Sequence, residues 1–454
     1  MGAEQSFRVA AVAFLSAFAF LVVLCLRSES WIVINAYLPA DFGEIRVWMP
    51  FAYPDRIVHI PRPEVAFVDC ALLFRGEKNY SKELRKGKLA LKATPYNELD
   101  MSCVEIKSRV LPARNPDIGY PIAHAKLVYK DYEFLEEQLA VTFAEENAYC
   151  FAVDSSASVQ FRRQIYALAN CLDNVVLSEK EYRTDSGGHF HNHAQLDCIR
   201  QLRKLQWNYV ILLQNHDIVL KTHAEIAAIF TLMNGTSDIE VASCPSSRCP
   251  SKFEQNLGRL MICPKHLTGQ KLDECRNGTL QYGKGMTQVS LSRVDVDYIL
   301  DDLNITVLLN NFNSLSYGVD EMLMHSIGAT ELLGLPGGFT HRCLSKTNRF
   351  ITRFTVWAGS RNACSSGRWR HSICILGIED LPKLLDAPQI MANKMLPSDD
   401  YAAISCMAEM LANRTAGRSK KPLDSQFYLN LQAVRYNRMK KQDTGFNVSK
   451  FDCS

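Results

Sequence analysis

From Pro121 to Glu225 the chain alternates short apolar runs with stretches of helical periodicity. Ile122 to Val128 (IAHAKLV), Ala148 to Val153 (AYCFAV) and Val175 to Leu177 read as strands bounded by polar or turn residues. Tyr132 to Phe143, Ser158 to Ala169 and His193 to Leu205 carry apolar residues near helical spacing and read as helices. Trp207 to Glu225 (WNYVILLQNHDIVLKTHAE) combines both patterns. Its apolar run Tyr209 to Leu213 stops at Gln214, Asn215 and His216; Asp217 follows, then a second apolar piece to Lys221 and Thr222, and a helix from Ala224. Strands alternating with helices predict an α/β fold with a doubly wound, mainly parallel sheet flanked by helices. Ligands in such sheets sit beyond the carboxyl ends of the strands, where this chain carries Asp154 and Asp217. Further on, Gln288 to Leu291 predicts a strand and Val294 to Leu303 a helix, and Tyr317 to Glu321 leads into a helix over Met322 to Ile327.

The ends of the chain read differently. Val9 to Leu26 is uncharged and lies between Arg8 and Arg27, about the minimum length that spans a bilayer as a helix. It predicts a signal anchor over 9–26 with a cytoplasmic tail over 1–8 and a lumenal body; a cleaved signal peptide is the alternative. Residues 27–111, proline-containing and with a basic run Lys82 to Lys92, read as a stem and entry region. The catalytic domain is expected over 112–412, and 413–454 reads as a basic, polar surface tail. A composition of 47% hydrophobic and 22% charged residues allows a sizeable core, and a net charge of +3 gives no reason to expect nucleic-acid binding. Fourteen of fifteen cysteines lie outside the apolar segment, and sequons occur at Asn79, Asn234, Asn277, Asn304, Asn413 and Asn447. Both features predict a disulfide-bonded glycoprotein of the secretory pathway. There is no CxxC pair, GxGxxG, P-loop, GxSxG or HExxH.

Eight phrases in order, PIAHAKLVYKD, AYCFAVDSSAS, ALANCLDNVVLSEKE, HAQLDC, WNYVILLQNHDIVLKTHAEI, YGVDEMLMHSI, SICILGIEDL and ANK, resemble the core-2/I-branching β-1,6-N-acetylglucosaminyltransferase family (glycosyltransferase family 14). The peptide O-xylosyltransferases are related to it. The resemblance covers about Cys103 to Cys406, and the cysteine-rich middle, Glu240 to Gly283, is similar to the nematode-type branch. It implies a GT-A-like nucleotide-sugar fold and an inverting single displacement on UDP-GlcNAc, without a metal or other cofactor, onto a glycan or glycoprotein hydroxyl. It also implies a single-pass type II protein of the Golgi membrane, and leaves a homodimer open. UDP-xylose as donor is an alternative, as is a catalytically weakened, glycan-binding descendant.

The resemblance assigns roles residue by residue. Glu321, in Val319-Asp320-Glu321, matches the family's catalytic carboxylate and would take the acceptor proton. Lys394, in Ala392-Asn393-Lys394, matches the lysine at the diphosphate, which fixed cations must stabilise where no metal does. The family's second cation, an arginine, falls on His371 with Arg370 beside it, so either side chain could take that role. Asp154 matches a uridine-binding aspartate, although a helix N-cap would account for it equally. Asp217, with Lys221, is expected near the donor. Glu240 and Trp357 match acceptor positions. Three departures stand out: the tyrosine near uracil falls close to Ser186, a second acceptor aromatic falls on Gly359, and Gln214-Asn215 replaces the family Cys-Gly. The family disulfides carry over as Cys70–Cys406, Cys103–Cys171, Cys150–Cys198 and Cys364–Cys374, leaving Cys244, Cys249, Cys263, Cys275, Cys343 and Cys453 with unassigned pairing. Two patterns invite a metal reading and are set aside: Asp295-Val296-Asp297, a literal DxD inside a predicted helix, and His189, His191 and His193, whose alternate spacing fixes no common face.

Overall fold

The computed structural model describes residues 31–35, 46–51, 57–87, 99–246, 248–249, 254–344, 349–360, 363–419, 421–443 and 445–453. The predicted anchor over 9–26 lies outside the described residues. The chain divides into two units, Met1–Ile57 and Val58–Ser454. The first contains an antiparallel ribbon of Trp31–Asn35 and Arg46–Phe51.

The second unit is built on a five-stranded sheet. Its strands are β1 (Ile122–Val128), β2 (Ala148–Val153), β3 (Val175–Leu177), β4 (Tyr209–Gln214) and, after the two-residue β5 (Ile218–Val219), β6 (Ser290–Ser292). The spatial order is β6-β4-β1-β2-β3, with all neighbours parallel except the edge strand β6, which runs antiparallel to β4. The chain leaves β1 in one direction through β2 and β3 and returns to β1's other side as β4. The order therefore reverses between β1 and β4, the position where an open α/β sheet presents a ligand crevice.

Alternation along the strands explains the layers. Ile122, Val128, Tyr149, Phe151, Val153, Tyr209, Ile211 and Leu213 face one core, with α1 (Tyr132–Thr142) and α2 (Val159–Cys171) contributing to it. The opposite face is small, with Ala123, Ala125, Ala148 and Ala152, and α3 (His191–Leu202) packs there. Short side chains let that helix approach, and Cys150–Cys198 joins it to β2. Ser158 caps α2 through the Phe161 amide, and Thr222 with Glu225 forms a capping box on α4 (His223–Met233). The predicted elements between Pro121 and Glu225 thus form, with helix ends displaced by one to three residues.

Two boundaries differ from expectation. The predicted stem belongs to the compact body from Val58 onward: Val65, Leu73, Ile106 and Val110 are core residues, and Cys103–Cys171 pins the segment to α2. The predicted surface tail is also packed. Tyr428, Leu431, Val434 and Tyr436 are buried, and Cys343–Cys453 closes the end of the chain, because the helix Gln432–Gln442 has an apolar face beneath its basic one. All four carried-over disulfides form, and the remaining described cysteines pair as Cys244–Cys249, Cys263–Cys275 and Cys343–Cys453. Cys70–Cys406 closes a loop of 336 residues, the kind of crosslink that stabilises by roughly 5–6 kcal/mol in the chain-entropy model. Of the sequons, Asn413 is half-buried and accepts a hydrogen bond from Arg418; the other five asparagines are exposed.

Polar side chains also enter the core, His124 and Lys126 on β1 among them. Lys126 on β1 is buried, donates to the Asp217 carbonyl (3.2 Å) and lies 5.3 Å from the Phe134 ring centre, and burial pushes its ammonium down to about 8. A depressed lysine costs stability while protonated in both states, so the cost is full below about pH 8 and fades as pH rises toward the unfolded value near 10.4. Lys126→Met should raise the melting temperature by roughly 2–4 °C at pH 7. Thermal denaturation at pH 7 and pH 10 checks this: the gain should shrink at the higher pH.

Candidate active site

The carboxyl ends of β1, β2 and β4 open into a cleft of about 370 Å³. Tyr129 follows β1, Asp154 follows β2, and Gln214, Asn215 and His216 form the turn after β4; all line it. That last turn joins the two strands at the reversal point. Asn215 accepts from the Tyr129 amide (2.8 Å) and donates to the Lys130 carbonyl (3.1 Å), while His216 Nε2 bonds Asp131 (2.6 Å).

A second small sheet, in the order β7-β10-β5, brings distant segments to the same edge. β7 (Arg353–Phe354) runs parallel to β10 (Met391–Ala392), which is antiparallel to β5. Behind the cleft this produces a closed ring of buried side chains. Asn393 Nδ2 donates to Asp217 Oδ1 (2.7 Å), and Arg353 Nη2 donates to Asn393 Oδ1 (2.9 Å). Arg353 Nη1 donates to Gln288 Oε1 (2.7 Å), and Gln288 Nε2 returns to Asp217 Oδ2 (2.9 Å). The Gln214 amide adds a further bond to Asp217 (2.6 Å). Asp217 therefore does not line the cleft: it anchors Asn393, whose chain neighbour Lys394 does. Lys221 points elsewhere, with Nζ on the Ala387 carbonyl (2.5 Å).

Three cationic side chains face the cleft from this side: Arg353, Arg370 and Lys394. Among the described residues none is within ion-pair distance of a carboxylate. Burial, then the charges of Arg353 and Arg370, push the Lys394 ammonium down to about 8. Arg370 and His371 sit on a hairpin of β8 (Trp369–Arg370) and β9 (Ile373–Cys374), braced by Cys364–Cys374. His371 and Ser372, at φ 51° and 60°, form the tight connection whose left-handed backbone matches strand twist. Both Arg370 and His371 line the cleft, and Arg370 is the one whose charge acts on Lys394 and on Tyr129. Trp357 lies beside the hairpin, bridged to Ile373, whereas a side chain at Gly359 would meet only open space.

Asp154 is not the N-cap of α2, since Ser158 fills that position. Its Oδ1 accepts from the Ser156 amide (2.7 Å) and hydroxyl (2.5 Å), and its Oδ2 from the Thr184 amide (2.8 Å) and hydroxyl. Burial raises its pKa, but these bonds outweigh burial and hold it below the usual carboxylate range. With four acceptor sites taken, Asp154 organises the wall on which Thr184, Asp185 and Ser186 lie.

Glu321 ends a 3-10 turn, Val319–Glu321, that follows Gly318 at φ 66°. Its half-buried carboxylate reaches Lys284 Nζ at 3.0 Å and Arg248 Nη1 at 3.3 Å, and Arg248 stacks on Tyr317 with its guanidinium 4.7 Å from the ring centre. A Cβ on Gly318 would run into Arg248. Glu240 lies behind Glu321, with Oε2 accepting from the Met286 amide (2.8 Å); burial raises its pKa, and the charge of Glu321 adds to the rise. Glu321, Trp357, Arg370, His371, Lys394 and Asp154 thus share one cleft, with Asp217 and Glu240 one layer behind.

The two metal-like patterns have other partners. Asp295 is buried near the start of α5 (Arg293–Asp301), accepting from the Gly337 amide (2.7 Å), while Asp297 pairs with Arg203 and Arg293 on the outside. His189 bonds Asp185, and His191 bonds Asp320.

A crevice at the strand-order reversal, with unpaired cations beside carboxylates and aromatics, defines an α/β enzyme that accepts an anionic ligand. The core-2/I-branching enzyme family model matches residues 122–385, and the chain belongs to that family. It is an acetylglucosaminyltransferase-like glycosyltransferase. It is 25% identical over 341 residues to the human probable β-1,3-galactosyl-O-glycosyl-glycoprotein β-1,6-N-acetylglucosaminyltransferase 7, covering 73% of this chain and 77% of that one. It is 23% identical over 377 residues to the Bos taurus β-1,3-galactosyl-O-glycosyl-glycoprotein β-1,6-N-acetylglucosaminyltransferase 3, covering 78% and 84%. A bovine herpesvirus 4 protein described as the same kind of transferase matches at 23% over 377 residues.

Sequence reasoning missed Arg353, Gln288, Asn393 and Tyr129. A single arginine inside the otherwise uncharged run Phe350 to Trp357 was the available signal for Arg353. The amides carry none, because they act only through the ring. Asp217→Asn should leave an amide facing two amide donors and cost about 3 kcal/mol, with weakened UDP binding; chemical denaturation and calorimetry check this. UDP affinity should also fall as pH rises through about 8, where Lys394 loses its proton, and this dependence should vanish in Lys394→Met.

Proposed function

We propose that the protein transfers N-acetylglucosamine from UDP-GlcNAc to a hydroxyl of a glycan or glycoprotein acceptor, by inverting displacement and without a metal. The observation that carries this reading is the pairing, in one cleft, of a carboxylate at a turn with cations that have no carboxylate partner. The acceptor hydroxyl enters beside Glu321, which takes its proton as the oxygen attacks the anomeric carbon. The bond from that carbon to the diphosphate oxygen breaks on the opposite face, and UDP leaves with the bonding electrons. Lys394 and Arg370 balance the charge on the departing diphosphate, with Arg353 as fixed positive charge beneath them. Trp357 offers a flat apolar face to a sugar ring, and Tyr129 with the Asp154 wall forms the nucleoside side.

The relatives' printed names support N-acetylglucosamine as the sugar and a β-1,3-galactosyl-O-glycosyl unit as the acceptor class. Seven disulfides among the described residues support an oxidising, secretory compartment, and we assign the Golgi lumen with anchoring through residues 9–26.

A panel of UDP-sugars with a β-1,3-galactosyl acceptor, run in EDTA, tests the reading. Transfer from UDP-GlcNAc should persist in EDTA; a strict Mn²⁺ requirement, or transfer only from UDP-xylose, would overturn its parts separately. Glu321→Gln should lower kcat by about 10³-fold while changing the UDP Kd less than about threefold. UDP binding with no transfer from any donor would leave a glycan-binding protein.

A further inference from the structure

Next to Glu321 in the chain is a carboxylate with no assigned role. Asp320 is buried in the cleft wall, and its Oδ2 accepts from His191 Nδ1 (2.7 Å) and from Thr287 Oγ1 (2.9 Å). Its Oδ1 lies against Gly188, at φ 90°, where an added Cβ would come within 2.1 Å of that oxygen. The same short stretch holds the turn twice more: the Val319 amide donates to the Gly187 carbonyl (3.1 Å), and Asn192 Nδ2 donates to the Val319 carbonyl (3.2 Å). The start of α3 therefore grips the whole Val319–Glu321 turn, and His191, which also lines the cleft, is the titratable member of that grip.

We propose that His191 is a positioning residue for Glu321: through Asp320 it fixes the turn that carries the base and sets the charge beside it. The proposal rests on the reading of Glu321 as the base. A neutral imidazole donating from Nδ1 leaves the full negative charge of Asp320 one residue from Glu321; a protonated one makes the pair neutral. The donor that His191 holds on Asp320 offsets that charge, and removing it would leave an uncompensated carboxylate next to the base. The charged and titratable groups around the pair are Glu321 on the turn, Lys284 and Arg248 on that carboxylate, and Asp185 and His189 on His191's own loop. His325 on α6 (Leu323–Ala329) and Arg353 complete the set, and the Asp320 charge acts on His189, His325 and Arg353. Lys284, Arg248 and Arg353 are permanent cations at neutral pH, and His191 is the ionisable side chain that hydrogen-bonds the Asp320 carboxylate directly.

The test is kcat/KM against pH from 5 to 9 for the full chain with UDP-GlcNAc, alongside the UDP Kd. His191→Arg places a fixed cation on Asp320 and should move the acid limb to lower pH by about half a unit or more. His191→Gln keeps only a neutral donor; it should lower kcat/KM about tenfold and place the acid limb at higher pH than in His191→Arg. Thr287→Val removes the other donor to the same oxygen and should lower kcat without altering the shape of the profile. UDP Kd should stay within about threefold in all three. A parent-like profile in both His191 variants would overturn the proposal, as would equal loss of UDP binding and transfer. Glu321→Gln, run in parallel, separates the two readings: if it stays active the base is not Glu321 and both fall, whereas an inactive Glu321→Gln with unmoved His191 profiles removes only the role of His191.

Discussion

The site depends on a closed ring of four buried side chains, Asp217, Asn393, Arg353 and Gln288. An isolated buried carboxylate or guanidinium would cost several kcal/mol in desolvation. Here the two charges balance, and the intervening amides pass one hydrogen bond to the next from Arg353 Nη1 and Nη2 round to the Asp217 carboxylate. Each member comes from a different segment: the turn after β4, the approach to β6, β7 and the end of β10. Once closed, the ring leaves little freedom to Lys394, which follows Asn393, or to the floor formed by Arg353.

The cleft divides by charge. Asp154 uses its capacity to tie Ser156 and Thr184 together, making a rigid wall. Arg370 and Lys394 face the cleft without carboxylate partners, an arrangement that repels itself until an anion arrives. Glu321 is held differently, by Lys284 and Arg248, the latter placed by the short Cys244–Cys249 loop. The cations near the carboxylate are paired, and those near the hairpin are free to meet a ligand. Disulfides brace the loop that carries Arg248 and the hairpin that carries Arg370.

Much of the sheet was legible because its periodicity is local. Full burial favours near-continuous apolar runs, which Ala148 to Val153 shows directly, while β1 is buried with His124 and Lys126 in its run. The amphipathic helix over Gln432–Gln442 was passed over because its basic face dominates composition, and only packing against Phe339 and Phe451 reveals the buried Tyr436. Asp154 and Asp217 looked alike in sequence, both following a strand. They differ in depth: Asp154 lies on the cleft, whereas Asp217 turns inward to meet Gln288 and Asn393.

The sequence by itself determined the alternation of strands and helices, the family, the cysteines of four disulfides and the identity of Glu321 and Lys394 as candidates. Those features are written in residue type and spacing along one segment at a time. Tertiary structure alone decided which cations stay unpaired among the described residues, that Arg370 and His371 both share the cleft with Lys394, and that Asp320 is gripped by His191. The reason is distance: the ring joins residues up to 176 positions apart, and His191 meets Asp320 across 129. No local pattern encodes a contact of that span, because each partner looks like an ordinary polar residue until the fold removes water from around it.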